Sequence, residues 1–168
     1  MSRTHLYRST GRPRPIATVV LLSGWLGAAA LYLAVRGPAL LADPPLSSAG
    51  PAAASLLAFV LGSGVAAACL VLVAELVSGR TPRRGARLGL AGAVLACCLA
   101  GQLAAAGPSN ALRSGWIAAA DAATAPARAA EVASLHRQGT LWLMGGVLAA
   151  AMALVITVES IRRWDARP

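Results

Sequence analysis

Residues 52–77 read AAASLLAFVLGSGVAAACLVLVAELV, and the first twenty-three of them carry no charge. About twenty apolar residues are needed to cross ~30 Å of hydrocarbon as a helix, because in lipid each backbone polar group must be satisfied within its own segment. Pro51 stands at a first-turn position and Gly79 at a C-cap position, so both ends carry helix punctuation. Working outward, residues 16–35, 86–106 and 141–160 pass the same test. Thr81 and Pro82 read as N-cap and first residue of the third helix, and Gly107 with Pro108 ends its apolar part. No stretch alternates polar and apolar residues as a membrane β-strand does. The expected fold is all-α: an integral membrane bundle of four transmembrane helices over 16–160, flanked by an Arg-rich tail, 1–15, and a second short tail, 161–168.

Composition agrees. Of 168 residues, 57% are hydrophobic and 12% charged, with a mean hydropathy of +0.66, which excludes a water-soluble monomer. The formal charge is +9 and every basic residue is Arg. These arginines flank apolar runs instead of lining a polar face, so they argue for membrane topology and against a nucleic-acid partner. The Ala, Gly, Pro and Arg bias without Lys is the bias of a GC-rich bacterial genome, and the expected location is a bacterial plasma membrane. Basic residues in short loops are retained on the cytoplasmic side. With the N-terminus inside, eleven arginines (3, 8, 12, 14, 80, 83, 84, 87, 162, 163 and 167) are cytoplasmic and four lie outside, so both termini are expected in the cytoplasm. The Arg-rich start followed by an apolar run has the outline of a signal peptide, but the run lasts from Ile16 to Val35, a length that favours a retained span.

The two outer connections differ. Residues 37–50 carry Asp43, Pro44, Pro45, Ser47 and Ser48, a loop composition. Residues 107–140 are long for a connection, and their Ala content predicts helix on either side of a break near Pro126. Asn110 is placed to cap the first piece, and Leu112 and Trp116 share a face at i, i+4 with Ile117 beside them, as for a helix lying along the outer interface.

Ionisable and amide groups within the spans are the first candidates for function. Glu75 is placed within one helical turn of the inner interface, where Arg80 or the Arg83 and Arg84 pair is expected to neutralise it. Glu159 has Arg162 and Arg163 at i+3 and i+4. Gln102 is the most deeply placed amide and is expected to be buried between helices, with Leu99 and Leu103 facing lipid. Arg80, Arg83, Arg84 and Arg87 are the expected contacts for anionic lipid at the cytoplasmic face. Small residues at four-residue spacing, such as Ser23 with Gly27, Gly64 with Ala68 and Gly146 with Ala150, predict close helix packing.

Catalysis and cofactors find little support. Cys69, Cys97 and Cys98 lie inside apolar runs, so they build neither a disulfide framework nor a four-ligand zinc site and are read as small packing residues. Haem within the bilayer needs histidines in the spans, whereas His5 and His136 lie outside them. No cofactor is expected. Asp121, Glu131 and His136 form the one outer cluster with catalytic residue types, but Glu131 and His136 are five apart, a poor spacing for one helix face. No phosphate-binding glycine loop, H-E-x-x-H or G-x-S-x-G accompanies them. The expectation is a non-enzymatic accessory or assembly subunit of a larger membrane complex, with other membrane subunits or further copies of itself as partners. The alternative is a small oligomeric transporter or channel using Glu75 and Gln102.

Overall fold

A computed structural model describes residues 13–41, 51–77, 83–108 and 125–165. They form four long helices: α1 (Pro13–Leu41), α2 (Pro51–Val77), α3 (Arg84–Gly101), which runs on through a π-helical turn at Gln102–Ala106, and α4 (Ala125–Asp165). No strand occurs among the described residues. All four helices are long and apolar enough to cross a membrane, over Ile16–Val35, Ser55–Val77, Arg84–Ala106 and Ala130–Arg163.

The buried positions of α1 are Thr18, Leu22, Trp25, Ala29 and Tyr32, and those of α3 are Arg87, Ala91, Val94, Cys98 and Gly101. Both sets alternate spacings of four and three. A seven-residue repeat keeps a narrow seam turned toward neighbouring helices in a left-handed bundle. α1 and α3 each pack against both α2 and α4, and α2 and α4 also meet across one diagonal. The start of α3 meets the ends of α2 and α4, through Arg87 with Glu75 and Arg83 with Glu159. The end of α1 meets the start of α4 through Tyr32 and His136, so each helix runs antiparallel to its two neighbours in the ring.

All four helices meet at Trp25, which is only 4% exposed. Its indole Nε1 donates to the Val60 carbonyl of α2 at 2.9 Å, satisfying the one polar atom of the ring. The ring fits because α2 and α4 present glycine to it. A Cβ at Gly64 would stand 2.7 Å from Trp25 Nε1 and 2.6 Å from Cys98 Sγ, and one at Gly146 would stand 3.3 Å from the tip of the indole. Cys98 is buried here as a small apolar filler, and Ala68 and Ala150, one turn beyond the glycines, are fully buried. The predicted pairs Gly64/Ala68 and Gly146/Ala150 therefore pack within the bundle. Ser23, Gly24, Gly27 and Ala28 instead face outward, and a Cβ at Gly24 or Gly27 would meet nothing within 4 Å. Many large apolar side chains also lie outside: Phe59 is 70% and Leu103 76% exposed, with Leu70, Leu148 and Val155 likewise on the surface.

Three sequence expectations need correction. α3 starts at Arg84 after Arg83 in a left-handed conformation (φ 62°), with no side-chain cap, whereas Thr81 and Pro82 lie outside the described residues. The fourth helix does not begin near Leu141: α4 starts at Ala125, with Pro126 in its first turn where a missing N–H costs nothing, and its 41 residues take in about half of the predicted connection. α1 runs past Val35 to Leu41, into the predicted first outer loop. The proposed interfacial piece with Asn110, Leu112, Trp116 and Ile117 lies outside the described residues, as do Gly79, Arg80 and Asp121.

Candidate functional site

The polar groups of the bundle gather at its two ends. At the end where α2 and α4 finish and α3 begins, Glu75 and Arg87 form a buried ion pair. Arg87 Nε lies 3.1 Å from Glu75 Oε1, and the two side chains are 8% and 6% exposed. Arg87 also donates from Nη1 to Ser160 Oγ of α4 at 3.2 Å, so one guanidinium ties three helices together. Arg87 points inward because it precedes Ala91 and Val94 by four and seven residues and so shares their seam. Glu75 sits four residues after Val71 on the corresponding seam of α2. Its second oxygen, Oε2, is buried and has no hydrogen-bond partner among the described residues. Breaking such a pair leaves one charge buried alone, which costs about 3–5 kcal/mol, far more than loss of an exposed pair.

Around this buried pair lies a second, exposed layer. Glu159 of α4 accepts from Arg83 Nη1 at 2.6 Å through Oε2 and from Arg163, one turn along its own helix, through Oε1. Arg84 donates from Nη2 to the Leu76 carbonyl at 3.0 Å, satisfying one of the last carbonyls of α2 where the negative end of the helix dipole favours a cation. Thr18 and Thr157 are buried near this end, and Thr157 donates to the Ala153 carbonyl of its own helix at 2.7 Å.

The opposite end is held by neutral groups. Gln102 is half-buried at the start of the π-helical turn, and its Nε2 donates to the Ala58 carbonyl of α2. The turn is defined by the Gly107 N–H reaching back five residues to the Gln102 carbonyl, and it brings Ala105 and Ala106 together onto the buried face. Tyr32 and His136 join α1 to α4 with Oη and Nε2 3.0 Å apart, and Thr140 donates to the His136 carbonyl at 2.9 Å. Gly139 lets the chains close here, since a Cβ would meet Leu57 at 3.0 Å and Ala105 at 3.1 Å.

The predicted site residues are thus redistributed. Glu75 is neutralised by Arg87 and not by Arg83 or Arg84, which face other partners. Arg87, expected at lipid headgroups with its neighbours, is instead buried in the bundle, because the α3 seam carries it inward. The interhelical bond expected of Gln102 is present, and Leu99 and Leu103 lie on the surface. Glu131 is exposed, whereas His136 is half-buried against Tyr32. Five residues apart, they stand about 140° around the helix from one another. No group of three metal-ligating side chains occurs among the described residues. Ser23 and Ser63 donate to carbonyls of their own helices, at Val19 and Val60, and so outline no polar path. Besides Arg87 for Glu75, sequence reasoning missed Arg83 for Glu159, Ser160 for Arg87 and Tyr32 for His136. The last three join residues more than seventy positions apart, for which a single sequence carries no pairing signal.

The chain matches no protein-family model, no curated protein and no solved structure.

Proposed function

We propose that this chain is a non-enzymatic, four-span membrane protein that serves as an accessory or assembly subunit of a larger membrane complex. The observation that carries this reading is the filled centre. Trp25, Gly64, Cys98 and Gly146 bring all four helices into contact midway along the bundle, which argues against a solute path through one protomer. The buried ionisable pair and the Gln102 amide lie toward the ends, where they hold helices together. The surface between them is apolar, and in lipid an exposed small-residue stretch such as Ser23–Ala28 on α1 suits close approach by another helix. In this reading the arginine end faces the cytoplasm of a bacterial cell, with both termini on that side and an anionic leaflet beside it.

Gentle detergent extraction followed by mass spectrometry of the copurifying proteins tests the function. A stoichiometric membrane partner supports it; a homo-oligomer that passes solute in vesicles would replace it with the transporter reading. Sidedness has its own test. In a chain without its native cysteines, single cysteines at Ser2 and Asp165 should resist a membrane-impermeant thiol reagent in intact cells, and one at Ala123 should react.

A further inference from the structure

We propose that Arg83, Glu159 and Arg163 form a built binding site for one phosphate group at the rim of the bundle. The proposal deepens the membrane reading given above and rests on it.

The first observation is the arrangement of charge. Glu159 holds two guanidiniums, one from α3 and one from its own helix, each on a different carboxylate oxygen. A guanidinium has five donors in a rigid fork. Each spends one nitrogen on Glu159, and the two side chains remain 42% and 63% exposed, so two guanidiniums stand beside one carboxylate with much of their surface open to solvent. The triad carries a net charge of +1. A carboxylate here does not merely cancel charge: it fixes the separation and direction of two forks that would otherwise move independently on long stems. Arg83 is held from its backbone too, since its left-handed conformation (φ 62°) starts α3 and its carbonyl accepts from the Arg87 N–H at 3.2 Å.

The second observation is height. Trp25, Gly64, Cys98 and Gly146 mark the middle layer. Glu159 is thirteen residues along α4 from Gly146, and Arg83 is fifteen along α3 from Cys98, which at 1.5 Å per residue places them about 20–22 Å from that layer, with Arg163 one turn farther out. Hydrocarbon ends about 15 Å from the middle of a bilayer and the headgroups about 20–22 Å from it. The buried pair Glu75 and Arg87, eleven residues from Gly64 and Cys98, falls about 16 Å out, at the hydrocarbon edge. The exposed triad therefore stands at the level of phospholipid phosphates, just beyond the pair that is shielded from them. Arg84 reaches the Leu76 carbonyl and Arg87 reaches Glu75 and Ser160, whereas Arg83 and Arg163 are the two guanidiniums that share one exposed carboxylate among the described residues.

A phosphate can come from an anionic phospholipid or from solution, and a set of variants separates the sources. The full chain is reconstituted in nanodiscs of mixed phosphatidylglycerol and phosphatidylcholine, and the phosphatidylglycerol retained per protomer is counted by native mass spectrometry. Arg83→Gln and Arg163→Gln should each lower retention several-fold, and Arg162→Gln should leave it near the parent value. Glu159→Ala decides the matter by sign. It makes the rim more positive, so attraction by diffuse charge predicts higher retention, whereas an organised clamp predicts lower. Glu159→Gln, which keeps the shape, should move the same way, and unchanged thermal stability in the discs separates loss of the site from loss of the fold. Displacement of the retained phosphatidylglycerol by millimolar inorganic phosphate would assign the clamp to soluble phosphate. Higher retention in both Glu159 variants, or an equal loss in Arg162→Gln and Arg163→Gln, overturns the site. Nanodiscs expose both faces, so the outcome is independent of sidedness, and reversed labelling in cells would sink the orientation while leaving the clamp standing.

Discussion

The two ends of the bundle solve one problem in opposite ways. Where α2 and α4 finish, helices are joined by charge, through Glu75 with Arg87 inside and Glu159 with Arg83 outside. Where α2 and α4 begin, they are joined by neutral donors on neutral acceptors, Gln102 on the Ala58 carbonyl and Tyr32 with His136. A neutral hydrogen bond can be lost for ~1 kcal/mol because the orphaned groups are modestly costly to desolvate, while a buried charge that loses its partner has no cheap alternative. The charged end is therefore the stricter one.

The most damaging single change should be Glu75→Leu, which removes the carboxylate from beside the buried Arg87 guanidinium and should lower stability in detergent by about 3–5 kcal/mol. The double variant Glu75→Leu with Arg87→Met should recover most of that loss, since apolar replacement of both partners is often neutral. Equal thermal denaturation of single and double variants would erase the contrast between the ends.

The next largest effect belongs to the layer between them. Gly64→Ala forces Trp25 and Cys98 apart, and neither can swing away inside a filled core, so a loss of about 1–3 kcal/mol is expected. Combining it with Trp25→Phe, which removes the indole nitrogen from the space beside Gly64, should relieve part of the strain. A double variant that melts at the sum of the two single losses would show that the contact does not control the layer.

At the neutral end, Gln102→Leu should weaken the bundle by roughly 1 kcal/mol while leaving insertion intact. If the same change abolished solute flux without altering assembly, Gln102 would belong to a transport path. Tyr32→Phe is the gentlest probe, removing one hydroxyl from a half-buried histidine for about 0.5–1.5 kcal/mol. A loss at Tyr32 as large as that from Glu75→Leu would make the two ends equivalent.

How much of this was legible beforehand differs from residue to residue. That Gln102 needs an interhelical partner follows from an amide set in an apolar run. That the partner is the Ala58 carbonyl does not, because every exposed carbonyl of a neighbouring helix is an equal candidate. Glu159 with Arg163 was readable at i, i+4, and its second guanidinium was not. The π-helical turn after Gly101 has no counterpart in the local sequence, QLAAA, which suits an ordinary α-helix equally well.

The sequence by itself determined that four helices are long and apolar enough to span a membrane and that arginine collects at one end, because length, hydropathy and charge add up along the chain without reference to any neighbour. Tertiary structure decided which face of each helix turns inward. α2 is apolar all round, and Phe59 and Leu70 on its surface are no less apolar than Leu61 and Val71 in its core. Lipid solvates the one set as well as protein surrounds the other, so hydropathy carries no inward direction. What selects the face is fit: a glycine opposite an indole, and an arginine in the α3 seam opposite a carboxylate in the α2 seam. Fit is a property of two helices at once, and it enters only when they are brought together.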